Sequence, residues 1–227
     1  MTLPHPFIIG FSGRKGSGKN TCADQLTERI LDAQLADCSL RPEQIVKCYS
    51  YADPMKRMCR KFFGLTMEQC YGTNDQKNSP TMVHWRNFPV PGIMTEEQSA
   101  RYMTAREVLQ YFGTEILRKM EGSSHVRALM SDIDEDFPLF AFVTDVRFPN
   151  EVTAIQQRGG GKVIRLTRCI YPDDNHESET SLDPQNYDWN NFDYILDNRE
   201  MTLWEQNLLL NTLAQKWGIV FYERTPK

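Results

Sequence analysis

The sequence predicts an α/β fold in which a parallel sheet is covered by helices on both faces. Three observations predict it. Apolar β-type runs alternate along the chain with amphipathic helical patterns. A glycine-rich segment, GRKGSGKNT at 13–21, stands directly between the first apolar run and the first helical pattern. The 227 residues, 40% hydrophobic and 11% aromatic, suit one α/β domain with a full core.

The first strand is expected over 6–12, where the apolar residues of PFIIGF lead into Ser12. The helix after the glycine-rich segment is expected over 22–35. Further strands are expected at 45–51 (IVKCYSY), 139–145 (LFAFVTD), 162–168 (KVIRLTR) and 193–196, with a short strand or extended tail at 218–222. Helices are expected at 54–63, 105–120, 150–157 and 203–217. Gly159, Gly160 and Gly161 lie between a helix and a strand, as a C-terminal cap turn. Strands in such sheets are buried on both faces, and ligands bind at their carboxyl ends.

Two segments break the rhythm. Residues 69–99 are rich in Asn, Pro, Gly and Thr and read as a substrate-binding insert. Its candidates are Lys77 and Trp85, with Tyr71 and Phe88 as further aromatics that could stack a base. Residues 169–191 are polar and acidic and follow a strand, as a lid would. The whole chain, 1–227, is read as a single domain carrying these two segments.

Charge and composition exclude several classes. The net charge of −4 gives no case for nucleic-acid binding. No apolar run is long enough to span a membrane, and no leader pattern opens the chain, so a soluble intracellular protein is expected. The six cysteines form no C-x-x-C pair and the four histidines are scattered, so no zinc spacing exists and free thiols in a reducing compartment are expected.

The segment 13–21 is a phosphate-binding loop by its chemistry. Gly13, Gly16 and Gly18 permit a tight turn and close approach to a polyphosphate. Backbone N–H groups of Arg14, Lys15 and Ser17 then point at phosphate oxygens, and the helix terminus adds partial positive charge. Lys19 reaches the β- and γ-phosphates. The position usually held by a hydroxyl residue is Asn20, with Thr21 following. The magnesium ligand is then the amide, the Thr21 hydroxyl or a water.

Asp145 and Arg147 form a second constellation at the end of the apolar run 139–144. The carboxylate is placed to hold magnesium, directly or through water, and the guanidinium to clamp a phosphate with two parallel hydrogen bonds. The plainer reading is that Asp145 caps the following helix and pairs with Arg147. A third group is Arg106 and Gln110, four apart on one helix face. They suit a phosphate and a base, or are an ordinary solvated face with Val108, Leu109 and Phe112 toward the core.

Read together, these pieces resemble the deoxynucleoside monophosphate kinases of tailed phages, which are P-loop kinases. The resemblance covers nearly the whole chain. It rests on GRKGSGKNT with Ala23 and Asp24 after it, on YADPMK at 51–56, on REVLQ at 106–110 with FGT at 112–114, on DVR at 145–147 and on HESE at 176–179. It implies a P-loop three-layer fold with a five-stranded parallel sheet, transfer of the γ-phosphoryl of ATP to a deoxynucleoside monophosphate, Mg²⁺ and a homodimer. It implies a cytoplasmic location, the host cytoplasm if the chain is viral. Carried onto this chain, Lys19 and the loop amides hold the donor phosphates, and Lys15 touches the transferred group. Arg147 and Arg106 clamp the acceptor phosphate, Gln110 and Thr114 contact base or sugar, and Asp53 and Lys56 face the acceptor. Arg168 opens the lid, and His176 and Glu179 close over the nucleotides. The family usually has Asp where this chain has Asn20, which bears on how magnesium is held. Two other readings share the loop: a kinase of another phosphorylated small molecule, such as phosphomevalonate, and a nucleotide-binding regulator without transfer.

Overall fold

The computed structural model describes residues 5–34, 40–87, 95–171 and 176–219. Seven strands run through them: β1 (Phe7–Ser12), β2 (Val46–Tyr49), β3 (Pro80–His84), β4 (Tyr102–Thr104), β5 (Phe140–Val146), β6 (Lys162–Leu166) and β7 (Tyr194–Leu196). The chain divides into two compact units, one of Met1–Ser50 with Met130–Lys227 and one of Tyr51–Leu129.

The first unit holds the expected five-stranded parallel sheet, in the order β2-β5-β1-β6-β7. Its strands are continuous apolar runs because both faces are covered. On one face Ile9, Phe11, Phe142, Ile164 and Leu196 share a core with Cys22, Ala23, Leu26 and Ile30 of the helix Lys19–Gln34 and Leu210 and Ala214 of the helix Leu203–Lys216. On the other face the helix Pro149–Gln157 approaches β1 at Gly10. A Cβ there would stand 2.6 Å from Ile155 Cδ1 and 2.9 Å from Val146 Cγ2, so only hydrogen fits.

The second unit is built around a core of Met55, Cys59, Leu65, Cys70, Trp85, Met103, Ala105 and Val108. Its sheet is the antiparallel pair β3–β4. The helices Asp53–Phe63, Met67–Tyr71, Asn74–Lys77 and Ala105–Gln110 surround it.

Several elements differ from expectation. The first helix begins at Lys19 rather than 22, because Lys19 and Asn20 already belong to its first turn. β2 and β6 are shorter than expected, since β2 starts only after the single turn Pro42–Ile45 and β6 stops at Leu166, while β5 keeps its expected length one residue further on. Residues 105–120 are helical but change type: Ala105–Gln110 is α and Tyr111–Arg118 is π. Among its described residues the insert 69–99 holds the end of the helix Met67–Tyr71, the short helices Asn74–Lys77, Trp85–Asn87 and Glu96–Ser99, and β3. The helix Ser124–Asp136 was not expected, although Val126, Leu129, Met130 and Ile133 have helical spacing. Gly159 and Gly160 take φ of 63° and 78°, as a C-terminal turn requires. Gly218 closes the last described helix at φ 87°. Residues 220–222 of the expected last strand lie outside the described residues, as do Phe88 and Cys38.

Candidate active site

The loop 13–18 leaves the carboxyl end of β1 and enters the helix Lys19–Gln34. Gly13, Gly16 and Gly18 have φ of 151°, 79° and 99°. A side chain at Gly13 would also meet Ser17 Oγ at 2.5 Å, so this turn demands glycine. Ser17 N–H closes the turn on Arg14 O at 3.1 Å. Lys19 is 8% exposed, and its ammonium donates to Gly13 O at 2.7 Å and Arg14 O at 2.9 Å. Burial, then the neighbouring Arg147 guanidinium, pulls its pKa down to about 8 against the opposing carboxylates of Glu179 and Asp145.

Asp145 accepts from Ser50 Oγ at 2.6 Å. The N-terminus of the helix Pro149–Gln157 is served by a different residue: the buried Glu151 carboxylate accepts the N–H groups of Arg147 at 2.7 Å and Phe148 at 3.1 Å. That leaves the Arg147 side chain directed at the segment 176–180. Its guanidinium donates to Ser178 O at 3.0 Å and pairs with Glu179. Glu179 also accepts the Lys15 N–H of the glycine loop at 2.7 Å. One carboxylate therefore joins the loop amide and the arginine at the end of β5. The Lys15 ammonium lies over the Tyr171 ring, 4.9 Å from its centroid.

Arg168 is anchored rather than extended. Its guanidinium donates to Asn198 O and Met201 O, and its N–H to Asn198 Oδ1 at 2.9 Å. Asn198, fully buried, donates to Ser17 O at 2.9 Å and to Gln206 Oε1. The loop is thus fixed from below by a polar relay that the sequence reading missed. A second relay was missed too. Asp183 accepts from Arg14 at 2.5 Å and from Arg165 at 3.0 Å, and Arg165 also donates to Ser12 Oγ. The signal for it was present: Arg165 stands inside the apolar run KVIRL, and a buried charge needs a partner. Beside this relay lies a cavity of about 300 Å³ at the carboxyl end of β6, lined by Arg14, Arg165, Arg168, Cys169 and Trp189 among others.

His176 caps its own short helix Glu177–Thr180, accepting Ser178 N–H at Nδ1. Asn20 and Thr21 are exposed on the first turn of the helix Lys19–Gln34. Among the described residues no group of three or more His, Cys, Asp or Glu residues gathers to hold a metal. Asp145, Asn20 and Thr21 carry side-chain oxygens of the kind Mg²⁺ takes, the rest of its shell being waters and phosphate oxygens rather than a protein cage.

The remaining expected site residues belong to the second unit. Asp53 opens the helix Asp53–Phe63 and pairs with Lys56 at 3.6 Å, whose ammonium also lies over the Tyr71 ring. Arg106 is held in place by Asn78 Oδ1 at 2.9 Å and Asn74 Oδ1 at 3.0 Å. Gln110 is exposed at the end of the same helix, Thr114 follows in the π-helical segment, and Lys77 is half-buried at the end of Asn74–Lys77. Trp85 is 1% exposed, inside the core of this unit, with Tyr111 against its ring edge-on and Arg101 over it.

No family model matches the chain. A protein of Acanthamoeba polyphaga mimivirus, named "Putative deoxynucleotide monophosphate kinase", is 33% identical over 188 residues, covering 77% of this chain and 81% of the relative.

The chain belongs to the deoxynucleotide monophosphate kinase family.

The glycine loop, Lys19 and the D-x-R end of β5 all lie in the first unit. Among the described residues no helix is long and apolar enough to cross a membrane.

Proposed function

We propose that this kinase transfers the γ-phosphoryl group of MgATP to a deoxynucleoside 5′-monophosphate, giving ADP and the deoxynucleoside diphosphate. An oxygen of the acceptor phosphate attacks the γ-phosphorus, and the bond to the β,γ-bridging oxygen breaks. The observation that carries the reading is the convergence of a loop N–H and the Arg147 guanidinium on one oxyanion beside a buried lysine. Phosphoryl transfer needs little else than positioned cations and dipoles around a loose transition state.

In this reading residues 13–21 cradle the donor phosphates, and Lys19 turns from its two loop carbonyls to the phosphate oxygens. A polyphosphate arriving there favours the charged ammonium that burial disfavours. Asp145 with Asn20 or Thr21 would hold Mg²⁺, which would supply charge neutralisation there. The acceptor is read by Arg106, Gln110, Thr114, Lys77, Asp53 and Lys56, with Asn74 and Asn78 holding Arg106 in position. Trp85 supports that unit from its core rather than by stacking on a base. The chain acts as one kinase domain, with 69–99 as a substrate-binding insert and 169–191 as a lid. It works as a homodimer of phage type in the cytoplasm, without nucleic-acid or membrane partners.

The test is ADP release from MgATP with dGMP, dTMP, dAMP, dCMP, GMP and phosphomevalonate in turn. Turnover on deoxynucleotides well above the acceptor-free rate is expected. Turnover on phosphomevalonate alone would move the acceptor class, and release indifferent to every acceptor would overturn the proposal.

A further inference from the structure

Glu179 is an acid in a place built for anions. It sits on the short helix Glu177–Thr180, with its side chain only 8% exposed. One oxygen accepts the Lys15 N–H at 2.7 Å and the other pairs with Arg147. The Lys15 amide belongs to the glycine loop, where successive N–H groups form a concave seat for phosphate oxygens. Arg147 stands at the end of β5, and a guanidinium suits a carboxylate or a phosphoryl group through the same flat donor face. Two donors from two different strand ends thus converge on one oxyanion. A carboxylate and a phosphoryl group offer such donors the same chemistry: two linked, negatively charged oxygens.

We infer that the Glu179 carboxylate is the chain's own stand-in for the terminal phosphoryl group of the donor nucleotide. Lys15 N–H and Arg147 together bind that phosphoryl group, and Glu179 leaves the seat as it arrives. This rests on the kinase reading and sharpens it in two respects. It gives Arg147 the transferred group as its partner, and it makes Glu179 a competitor of the nucleotide rather than one of its ligands. The apparent affinity for a triphosphate is then reduced by the fraction of molecules in which Glu179 holds the seat. A diphosphate, which lacks the terminal group, has no need to displace it.

The experiment is calorimetric binding of ADP and of a non-hydrolysable ATP analogue with an imido β,γ-bridge, both with Mg²⁺, to the full chain and to Glu179→Gln. Glutamine keeps the shape and removes the charge. The expected result is analogue affinity tightened by roughly five- to tenfold, from loss of a charge-assisted pair that is partly solvent-screened, with ADP affinity changed by less than about twofold. Unchanged or weaker analogue binding in a folded variant would overturn the inference, and equal tightening for both nucleotides would overturn the assignment to the terminal group. Should Glu179→Gln fail to fold, the Lys15 amide resonance of the unaltered protein reads the same event. It is expected to move markedly further on saturation with the analogue than with ADP, whose phosphates also enter the loop, and an equal or smaller shift with the analogue overturns the inference. None of these measurements involves an acceptor. A chain that binds the analogue as expected but phosphorylates nothing would sink the kinase proposal and leave the seat standing.

Discussion

Lys19 donates to two carbonyls of its own loop, yet its charge is costly where it sits. Such a lysine has more to gain from an incoming phosphate than a solvated one, because the phosphate restores a counter-charge in a low-dielectric place. Arg147 is likewise held, by Ser178 O and Glu179, so both cations are oriented rather than searching. Lys19→Ala and Arg147→Ala are each expected to lower kcat by roughly 10²- to 10⁴-fold, as loss of one transition-state cation does. Steady-state kinetics with circular dichroism as a fold check tests this, and near-normal turnover in a folded variant would remove that residue from the mechanism. Residue types alone pointed to Lys19, Arg147 and Asp145. They did not reveal that Glu151 caps the helix after β5, or that Asp183 holds both Arg14 and Arg165, because those are contacts across the sequence and carry no local pattern.

At the scale of elements, the sheet was legible because parallel strands covered on both sides are plain apolar runs. The close pass of the helix Pro149–Gln157 over β1 was not, since a glycine in a strand does not announce which atom fills its space. Gly10→Val is expected to cost about 3 kcal/mol, the scale of overpacking a tight core, because Ile155 and Val146 leave no room for a Cβ. Urea denaturation reads it, and a change below 1 kcal/mol would show that the helix yields easily. The short helices of the second unit carry T-x-x-[EQ] capping boxes that stand openly in the sequence at Thr66, Thr73 and Thr104. Glu107, in the box of the helix Ala105–Gln110, also pairs with Arg101 at 2.7 Å. That hydrogen bond, then the Thr104 N–H, hold its pKa at about 2 against an opposing burial effect. A depressed carboxylate stabilises the fold above its unfolded pKa and ceases to do so as pH falls through the folded one. Stability of about 1 kcal/mol, discounted for solvent screening, is therefore expected to vanish between about pH 4.5 and 2 and to be absent throughout in Glu107→Gln. Acid denaturation profiles of the two proteins that stay parallel across that window would contradict this.

For the whole molecule, the two units have separate cores, one wound on the parallel sheet and one on the antiparallel pair. If the chain assembles as proposed, light scattering on the purified protein should give a mass twice the 26.4 kDa of one chain, and a monomer at micromolar concentration would refute it. By itself the sequence determined the parallel sheet, the glycine loop at the end of its first strand and the D-x-R motif at the end of β5, because each is written in neighbouring residues as a period, a set of closely spaced glycines or a strand-end motif. Only the tertiary structure decided that Trp85 belongs to a core, that Asn198 supports the loop from 181 residues away and that Glu179 lies on Lys15 and Arg147. These depend on which distant groups meet in a dry interior, where an unpaired polar atom is expensive, and pairing of that kind is set by three-dimensional proximity rather than by spacing along the chain.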